Sequence, residues 1–420
     1  MGSIEKVRAL EVLDSRSNPT VYVEVKTSTG RVGFGYAPSG ASTGSREAVE
    51  LRDGGSRLGG KGVRKCVSIV RERIEPALRG MDVTDQESID HTMVELDGTP
   101  NLSVLGANTT TAVSIACSRA ASLDLDMPLY VYLSRGKRCA MPTPMFNVIN
   151  GGKHAGNSLA IQEFMVVPDG DTFSDALWKA SQIYNALKQV LREKYGAASI
   201  NLGDEGGFAP PFSKTEQALN VLVTAVEKSG FELGSDVAFA MDSAASSFRT
   251  SRGYMLDGSE ISGEQLLKFY TDLCSKYPIV SVEDPFHEDD WEMFRAATNE
   301  LKHIRIIGDD VFVTDPNTIR KGFGEGVADG SIIKVNQAGT LTKALEAMRV
   351  CSEAGKLAVV SHRSGETTDT FIAHLAVART AEAIKSGAPA RGERVAKYNE
   401  LLRVEAEGVT FFHGLKPFKM

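Results

Sequence analysis

The stretch Ser331-Ile332-Ile333-Lys334-Val335-Asn336 places a lysine inside a run of branched apolar residues. A run of this length and composition is typical of a short strand that is buried on both faces. An ammonium in such a strand must pair with carboxylates or lose its proton, and a neutral amine is a base. Lys334 is therefore either a paired structural lysine or a catalytic base, and the surrounding pattern has to decide between them.

Four further apolar runs have the same layout, because each ends in an ionisable residue and a turn. They are Val237–Ala240 before Asp242, Ile279–Val282 before Glu283, Ile304–Gly308 before Asp309, and Leu357–Val360 before His362. From Glu283 onward the ionisable residues (283, 309, 334, 362) recur at intervals of 25 to 28 positions, with helix-like segments between them. Because that interval accommodates one strand and one crossover helix, the repeat predicts a parallel (β/α) barrel.

Charged residues at the carboxyl ends of barrel strands converge at the mouth of the barrel. Asp242, Glu283, Asp309 and Lys334 are therefore predicted to share one site. Carboxylate oxygens without cysteine or clustered histidine favour a hard cation such as Mg²⁺. The alternative interpretation is a ring of salt bridges that stabilises the top of the barrel.

Length and composition exclude several classes of protein. Of the 420 residues, 42% are hydrophobic and 24% are charged, which is typical of a soluble globular protein with a large core. The net charge of −7 and the lack of a basic cluster argue against a nucleic-acid surface. We expect no membrane span and no secretion signal, and the five scattered cysteines indicate reduced thiols in a cytoplasmic protein.

The region before residue 135 has a different organisation. Residues 4–36 alternate in the manner of antiparallel strands. The following segment, Pro38–Gly44, contains only small or turn-forming residues, so it can move and offer amides and hydroxyls to an anion or a metal. Helices are predicted over roughly 63–79, 84–95 and 107–123.

A polar, glycine-bearing stretch at 134–140 predicts the boundary between an N-terminal α+β domain, 1–135, and a barrel domain, 136–420. The barrel region begins with a glycine-rich loop at 147–157 that includes His154, followed by a strand that carries Glu163. The turn Gly203–Gly207 contains Glu205. Acidic residues among glycines are typical of a solvated loop, so the pattern fits an ordinary loop as well as a functional site. A helix over 367–385 is expected to end at Lys385, where a lysine would complement the helix dipole.

These parts suit the removal of a proton α to a carboxylate. A neutral Lys334 beside two Mg²⁺ ions can take such a proton, because the ions offset the accumulating negative charge and lower the lysine pKa. Expelling a β-hydroxyl also requires a proton donor. Glu163 and Glu205 cannot both ionise cheaply if they are neighbours, so the pair is predicted to keep one proton. A phosphate would suit the planar fork of Arg363, helped by Ser364.

Ten short motifs, in order along almost the whole chain, resemble those of the enolase family. They are Asp14-Ser-Arg-x-Asn18-Pro-Thr, Ser39-Gly-Ala-Ser-Thr-Gly44, Asn150-Gly-Gly-x-His154-Ala-Gly, Gln162-Glu-Phe, Gly203-Asp-Glu-Gly-Gly-Phe-Ala-Pro210, Val282-Glu-Asp-Pro-Phe286, Gly308-Asp-Asp310, Lys334-Val-Asn-Gln337, Ser361-His-Arg-Ser-Gly-Glu-Thr367 and Lys385-x-Gly-Ala-Pro389. A lysine base with magnesium is the known arrangement of that superfamily.

The resemblance implies an α/β protein with a barrel of the form β2α2(βα)6 after an N-terminal α+β domain. It implies a cytoplasmic glycolytic hydro-lyase that reversibly dehydrates 2-phospho-D-glycerate to phosphoenolpyruvate. It also implies two Mg²⁺ ions per site, the second binding with substrate, and a homodimer or a larger homo-oligomer such as an octamer.

The resemblance further implies a role for each matching residue. The catalytic group would be Lys334 as base, Glu205 as the acid that assists hydroxide departure, Glu163 and His362. The metal ligands would be Asp242, Glu283 and Asp309 for the first ion, and Ser42, on a lid loop, for the second. The residues that would contact substrate or close the site are Ala41, Ser42, His154, Gln162, Arg363, Ser364 and Lys385, together with His362.

Three positions differ from the family pattern. Ser17 stands where glycine is usual, which questions a local backbone turn. Ser247 and His374 stand where acidic residues are usual, so we expect less negative charge near the site and a changed metal affinity or pH profile.

The family's typical dimer contacts are also altered. Leu10 and Ala406 replace one ion pair, and Tyr22 replaces the acidic partner of Arg403. We expect the dimer to persist through an apolar and an aromatic–arginine contact, with lower salt sensitivity.

Two other functions fit parts of the pattern. A racemase or cycloisomerase of the same superfamily would keep the metal carboxylates but lack the Ser39–Gly44 lid and the Glu163/Glu205 pair, and both are present here. A non-catalytic protein on the same scaffold, such as a lens-type or surface plasminogen-binding protein, would have lost catalytic groups that this chain retains.

Overall fold

The N-terminal part of the chain forms a three-stranded antiparallel sheet with helices packed on one face. The computed structural model describes residues 2–41, 44–378 and 381–419. The strands are β1 (Ile4–Leu13), β2 (Pro19–Thr27) and β3 (Val32–Tyr36), in the order β1-β2-β3. The helices are α1 (Arg64–Ile69), α2 (Glu75–Leu78), α3 (Gln86–Asp97), α4 (Ala107–Asp124) and α5 (Leu129–Ser134), with a π-helical turn, Val70–Ile74, between α1 and α2.

Side-chain alternation on β2 and two glycines on β3 explain how the sheet packs on α4. Alternate valines of β2 are fully buried, as a half-buried strand requires. A Cβ at Gly33 or Gly35 would lie within 2.3 Å of a backbone atom of α4, so only glycine allows this approach.

Most of the remaining chain forms the barrel and its surrounding helices. The strands are β4 (Thr143–Asn150), β5 (Glu163–Pro168), β6 (Val237–Asp242), β7 (Tyr254–Leu256), β8 (Ser259–Ile261), β9 (Ile279–Glu283), β10 (Arg305–Gly308), β11 (Gly330–Ile333), β12 (Leu357–Ser361) and β13 (Ala383–Lys385). The helices are α6 (Phe173–Tyr195), α7 (Thr215–Lys228), α8 (Gly263–Lys276), α9 (Trp291–Glu300), α10 (Pro316–Gly324), α11 (Val335–Ala338), α12 (Leu341–Glu353), α13 (Phe371–Ala378) and α14 (Gly392–Ala406).

Within the described residues, eight strands close the barrel in the order β10-β11-β12-β13-β4-β5-β6-β9. β5 runs antiparallel to both neighbours, and the other pairings are parallel. Two strands and two helices thus precede six strand–helix units, which confirms the predicted β2α2(βα)6 barrel. β7 and β8 form a separate hairpin.

Successive residues on each barrel strand point to opposite faces. On β5, Met165 and Val167 belong to the buried cluster inside the barrel, whereas Phe164 and Val166 belong to the larger cluster between barrel and helices. Both clusters are apolar, so the strands read as continuous hydrophobic runs.

Two predicted elements were wrong. The helix expected over 367–385 ends at Ala378, and Lys385 is instead the last residue of strand β13. The stretch 147–150, expected to be a loop, is the end of strand β4. Each helix in the described part of the chain is too short or too polar to cross a membrane.

Candidate active site

The barrel delivers its ionisable side chains to one rim. Asp242, Glu283 and Lys385 are the last residues of β6, β9 and β13, while Asp309 and Lys334 directly follow β10 and β11. The antiparallel strand β5 begins with Glu163, so its first residue lies where the parallel strands end. His362 follows β12 at the same rim. All seven of these side chains are largely buried.

Both lysines at this rim lie among carboxylates. The Nζ of Lys385 donates to Glu283 Oε2 (2.8 Å) and Asp242 Oδ2 (3.2 Å) and lies 3.5 Å from Glu163 Oε1. The Nζ of Lys334 donates to Asp309 Oδ2. Burial disfavours the charge on Lys334, but the Asp309 carboxylate raises the pKa of the ammonium above its usual value. In this arrangement Lys334 is therefore a paired cation, and its neutral form beside bound cations remains a prediction.

The site also has the donors for a hard cation. Four buried carboxylates face two ammonium groups, and burial together with the charge of Asp242 raises the pKa of Glu283 well above its usual value. Two buried oxygens, Gln162 Oε1 and Glu163 Oε2, have no hydrogen-bond partner among the described residues. Unpartnered oxygens and surplus negative charge fit a divalent ion that prefers oxygen ligands.

Among the described residues, two groups of three side chains bring possible ligand atoms within 4.8 Å of one another: His154, Glu163 and Glu205, and Asp284, Asp309 and Asp310. Only Asp309 belongs to the metal set predicted from the sequence. Asp284 accepts from the amides of Asp309 (2.9 Å) and Asp310 (2.7 Å), and burial raises the pKa of Asp310 to about 7. Sequence reasoning missed Asp284 and Asp310, although each adjoins a predicted ligand in the same strand-end motif.

The turn Gly203–Gly207 brings Glu205 into the same cluster. Glu205 Oε2 accepts from Asn147 Nδ2 at 3.0 Å, and Asn147 was missed because its stretch was assigned to a loop. His154 Nδ1 lies 3.5 Å from Glu205 Oε1 and 3.7 Å from Glu163 Oε1. Burial and the Glu205 charge raise the pKa of Glu163 well above its usual value, so Glu163 holds the proton that the two glutamates share.

The protonation of His362 follows from its partners. Arg394 lies on α14 and is fully buried, and its Nη1 is 2.6 Å from His362 Nδ1. An arginine can only donate, so Nδ1 is the acceptor and the imidazole proton is on Nε2, 3.3 Å from Glu205 Oε2. Burial lowers the pKa of His362 to about 4, which keeps the ring neutral at neutral pH. Sequence reasoning missed Arg394, since nothing local marks a helix residue as part of the site.

The loop before residue 42 is tied to the turn after β12. Ser39 and Gly365 exchange two backbone hydrogen bonds of 2.8 Å, and the amide of Ala41 donates to Ser364 Oγ at 2.6 Å. Arg363 forms a two-point ion pair with Glu47. Ser42, a predicted metal and substrate ligand, lies outside the described residues.

The three departures from the family pattern have different outcomes. Ser17 has φ of 60°, the left-handed region that glycine tolerates best, and its turn nevertheless forms. His374 packs between helices, 2.8 Å from Glu400 and stacked on Tyr130, so it acts on helix packing rather than on the rim. No contact with the residues that the structure describes gives Ser247 a role at the site.

Comparison with known proteins agrees with this architecture. Residues 4–133 match the family described as "Enolase, N-terminal domain", and residues 138–419 match "Enolase, C-terminal TIM barrel domain". Curated relatives named enolase include those of Thermococcus kodakarensis (52% identical, covering 98% of this chain and 97% of the relative), Aeropyrum pernix (51%, covering 96% and 94%) and Pyrococcus furiosus (51%, covering 97% and 96%). With matches over nearly its full length and the corresponding barrel, the chain belongs to the enolase family.

Proposed function

We propose that this protein is a hydro-lyase that reversibly converts 2-phospho-D-glycerate to phosphoenolpyruvate and water. The observation that carries the proposal is the convergence of Lys334, a set of buried carboxylates and the Glu163/Glu205 pair at one rim of the barrel. This combination offers a base, carboxylates that would hold cations able to stabilise an enolate, and a shared proton, which together meet the three requirements of α,β-dehydration.

We propose Asp242, Glu283 and Asp309 as the ligands of one Mg²⁺ ion, with Ser42 as a ligand of a second ion that binds with substrate. Magnesium bound there would supply positive charge that stabilises the enolate of the substrate carboxylate. The surplus of buried carboxylates at this rim, and the raised pKa of Glu283 among them, support this assignment.

The chain's own groups carry the proton transfers in this proposal. Lys334 must first give its ammonium proton to solvent, with its pairing to Asp309 relaxed, and the neutral Nζ then takes the α-proton. On the other side, the proton that Glu163 holds would pass to Glu205, since oxygens of the two side chains lie within 4.8 Å of each other, and Glu205 would donate it to the departing hydroxide. The proton on His362 Nε2 stays with the ring at neutral pH, and Nε2 lies 3.3 Å from Glu205 Oε2, so we propose that His362 positions this carboxylate rather than supplying the proton.

Substrate contacts follow from the remaining buried groups. We propose Arg363 and Ser364 for the phosphate, and Lys385 as a permanent cation for the substrate's carboxylate end. The pKa of Lys385 supports this, because the carboxylates around it outweigh burial and hold the pKa well above the usual value. His154, Gln162, Ala41 and Ser42 would complete the enclosure.

We also propose a division into two domains near residue 135 and a homo-oligomer in the cytoplasm. One apolar cluster contains buried residues from Ile4 to Ala121 only, which supports the division, while Ile115, Leu129, Tyr130 and Leu133 join the larger cluster between barrel and helices and link the two parts. All five cysteines are free thiols, which supports a reducing compartment.

The test is the ultraviolet absorbance of phosphoenolpyruvate as it forms from 2-phospho-D-glycerate. We expect absorbance to grow with Mg²⁺, to stop with EDTA and to return when Mg²⁺ is restored in excess. A folded, Mg²⁺-supplied protein that forms no phosphoenolpyruvate would contradict the proposal. If the optical rotation of the substrate instead decayed to zero, the racemase alternative would be favoured.

A further inference from the structure

The guanidinium that we propose as the phosphate ligand is already paired with a carboxylate of the same chain. Arg363 Nη1 lies 2.9 Å from Glu47 Oε2, and Nη2 lies 3.2 Å from Glu47 Oε1, which is a two-point pair across the end of the arginine fork. Both side chains are largely buried, with 2% and 9% of their surfaces exposed. Neither charge is therefore screened by water, and the pair is strong.

Other donors complete a small anion site around the same carboxylate. Glu47 Oε1 also accepts from the amide of Gly44 at 3.0 Å and from Gln337 Nε2 at 3.2 Å. A guanidinium, a backbone amide and a carboxamide are also suitable hydrogen-bond donors for the oxygens of a phosphate group. Glu47 thus holds donors that an incoming oxyanion would need.

We propose that Glu47 is an internal competitor of the phosphate group and thereby sets the protein's affinity for phosphorylated ligands. The inference rests on the proposed function in that it takes Arg363 as the phosphate ligand. The nitrogens Nη1 and Nη2 form one edge of a planar group, so Glu47 and a phosphate cannot both engage that edge in the two-point geometry. Apparent affinity is then reduced by the fraction of molecules in which Glu47 holds the fork.

The opposite role would be that Glu47 holds Arg363 in the orientation that phosphate requires. The two roles differ in the sign of one measurement. If Glu47 competes, removal of its charge leaves the Arg363 guanidinium buried without a compensating negative charge. Phosphate then binds more tightly, because it supplies that charge. If Glu47 only orients the arginine, the same removal loosens the fork and phosphate binds more weakly.

The experiment measures binding of inorganic phosphate to the full chain by isothermal titration calorimetry, with EDTA present so that metal-bound phosphate does not contribute. We expect the Kd to fall about tenfold in Glu47→Gln relative to the wild type, the scale of one charge-assisted pair. Glu75→Gln is the matched control, because it removes an equal charge from the N-terminal part of the chain, where Glu75 pairs with Arg79 away from Arg363. We expect its Kd to change by less than about twofold.

Two further variants complete the test. The double variant Arg363→Gln with Glu47→Gln should lose the increase in phosphate affinity expected for Glu47→Gln alone, which would locate the phosphate at Arg363. If Glu47→Gln does not fold by circular dichroism, Glu47→Asp shortens the reach of the carboxylate and should tighten phosphate binding about threefold. A Kd that is unchanged or larger in the folded variant overturns the inference.

The outcome is separable from the proposed function. A chain that forms no phosphoenolpyruvate, yet binds phosphate more tightly after Glu47→Gln, would contradict the proposed function and support the role of Glu47. An active enzyme whose Kd for phosphate does not fall in Glu47→Gln would support the proposed function and contradict the role of Glu47 as a competitor.

Discussion

Lys334 donates to a single carboxylate, that of Asp309, whereas Lys385 is surrounded by three. The difference matters for their roles, since a lysine must shed its proton to act as a base. One ion pair has to be relaxed to neutralise Lys334, but three have to be relaxed for Lys385. The pairing therefore favours Lys334 as the base and Lys385 as a fixed cation.

We expect Lys334→Ala to abolish exchange of the α-proton of 2-phospho-D-glycerate with solvent deuterium, followed by NMR. The loss should be at least about a thousandfold, the scale of general-base catalysis. Binding of Mg²⁺, measured by calorimetry, should survive because the carboxylates remain. Lys356→Ala, which removes a lysine paired with Asp329 away from the rim, should exchange at the wild-type rate. Exchange in Lys334→Ala near that rate would remove Lys334 as the base.

His362 is expected to stay neutral with its proton on Nε2 between pH 8 and about pH 5. Its pKa is lowered by burial to about 4, while an unfolded histidine titrates near ~6.5. Between these values the unfolded chain binds more protons, so the contribution to stability is complete above pH ~6.5 and falls by about 3 kcal/mol as the pH approaches 4.

The measurement is long-range nitrogen–proton NMR of the imidazoles, with His362→Gln identifying the signal. A titration midpoint above pH 6 would contradict the predicted lowering of the His362 pKa. A proton on Nδ1 would contradict the role of Arg394 as a donor to this ring.

At the scale of elements, strand β4 and the turn Gly203–Gly207 position Glu205 together. Gly207 lies so close to β4 that a Cβ there would be 2.2 Å from Asn150 Oδ1 and 3.0 Å from the Asn147 carbonyl. Asn147 is also the residue that donates to Glu205. The position of the acid therefore depends on a glycine in the turn and on its contact with the strand.

We expect Gly207→Ala to fold but to lose about a hundredfold or more in kcat, because a displacement of roughly 1 Å at a catalytic group has that effect. Unfolding free energy should fall by about 1–3 kcal/mol from the overpacking. Gly156→Ala is the matched control, since a Cβ there meets no atom within 4 Å. Wild-type kcat in Gly207→Ala would show that the turn tolerates the shift.

At the scale of the whole molecule, the sheet face opposite α4 carries an apolar patch beside the charged residues Arg8, Glu24 and Lys26. Register places Leu10, Tyr22, Val32, Phe34 and Tyr36 on this face, and Leu10, Val32 and Phe34 are 37%, 46% and 39% exposed. Arg403 forms its ion pairs within the chain, with Glu400 and Glu407. An interface centred on the apolar patch would be held mainly by apolar contact, which salt does not weaken.

We expect a dimer by light scattering at micromolar concentration, in low salt and in molar salt alike. Phe34→Asp should shift the protein toward monomer by placing a charge on the apolar face. Met255→Asp, which changes an equally exposed residue of the separate β7–β8 hairpin, should leave the dimer intact. A wild-type monomer in low salt would contradict this proposal.

The sequence by itself determined the barrel and most of the rim. Strand-sized apolar runs end in Asp242, Glu283, Asp309, Lys334 and His362, and from Glu283 onward they recur at the spacing of a strand and a helix, which predicts parallel strands buried on both faces. Local chemistry suffices for this, because hydrophobic periodicity and turn residues are properties of neighbouring positions.

Tertiary structure alone decided which groups pair and which element carries Lys385. A three-residue strand is too short for a periodic signal, so β13 looked like the end of a helix. The pairing of Glu47 with Arg363, and of Arg394 with His362, joins positions 316 and 32 residues apart. Such contacts depend on packing between distant segments, which fixes the distances between charges and therefore their pKa values.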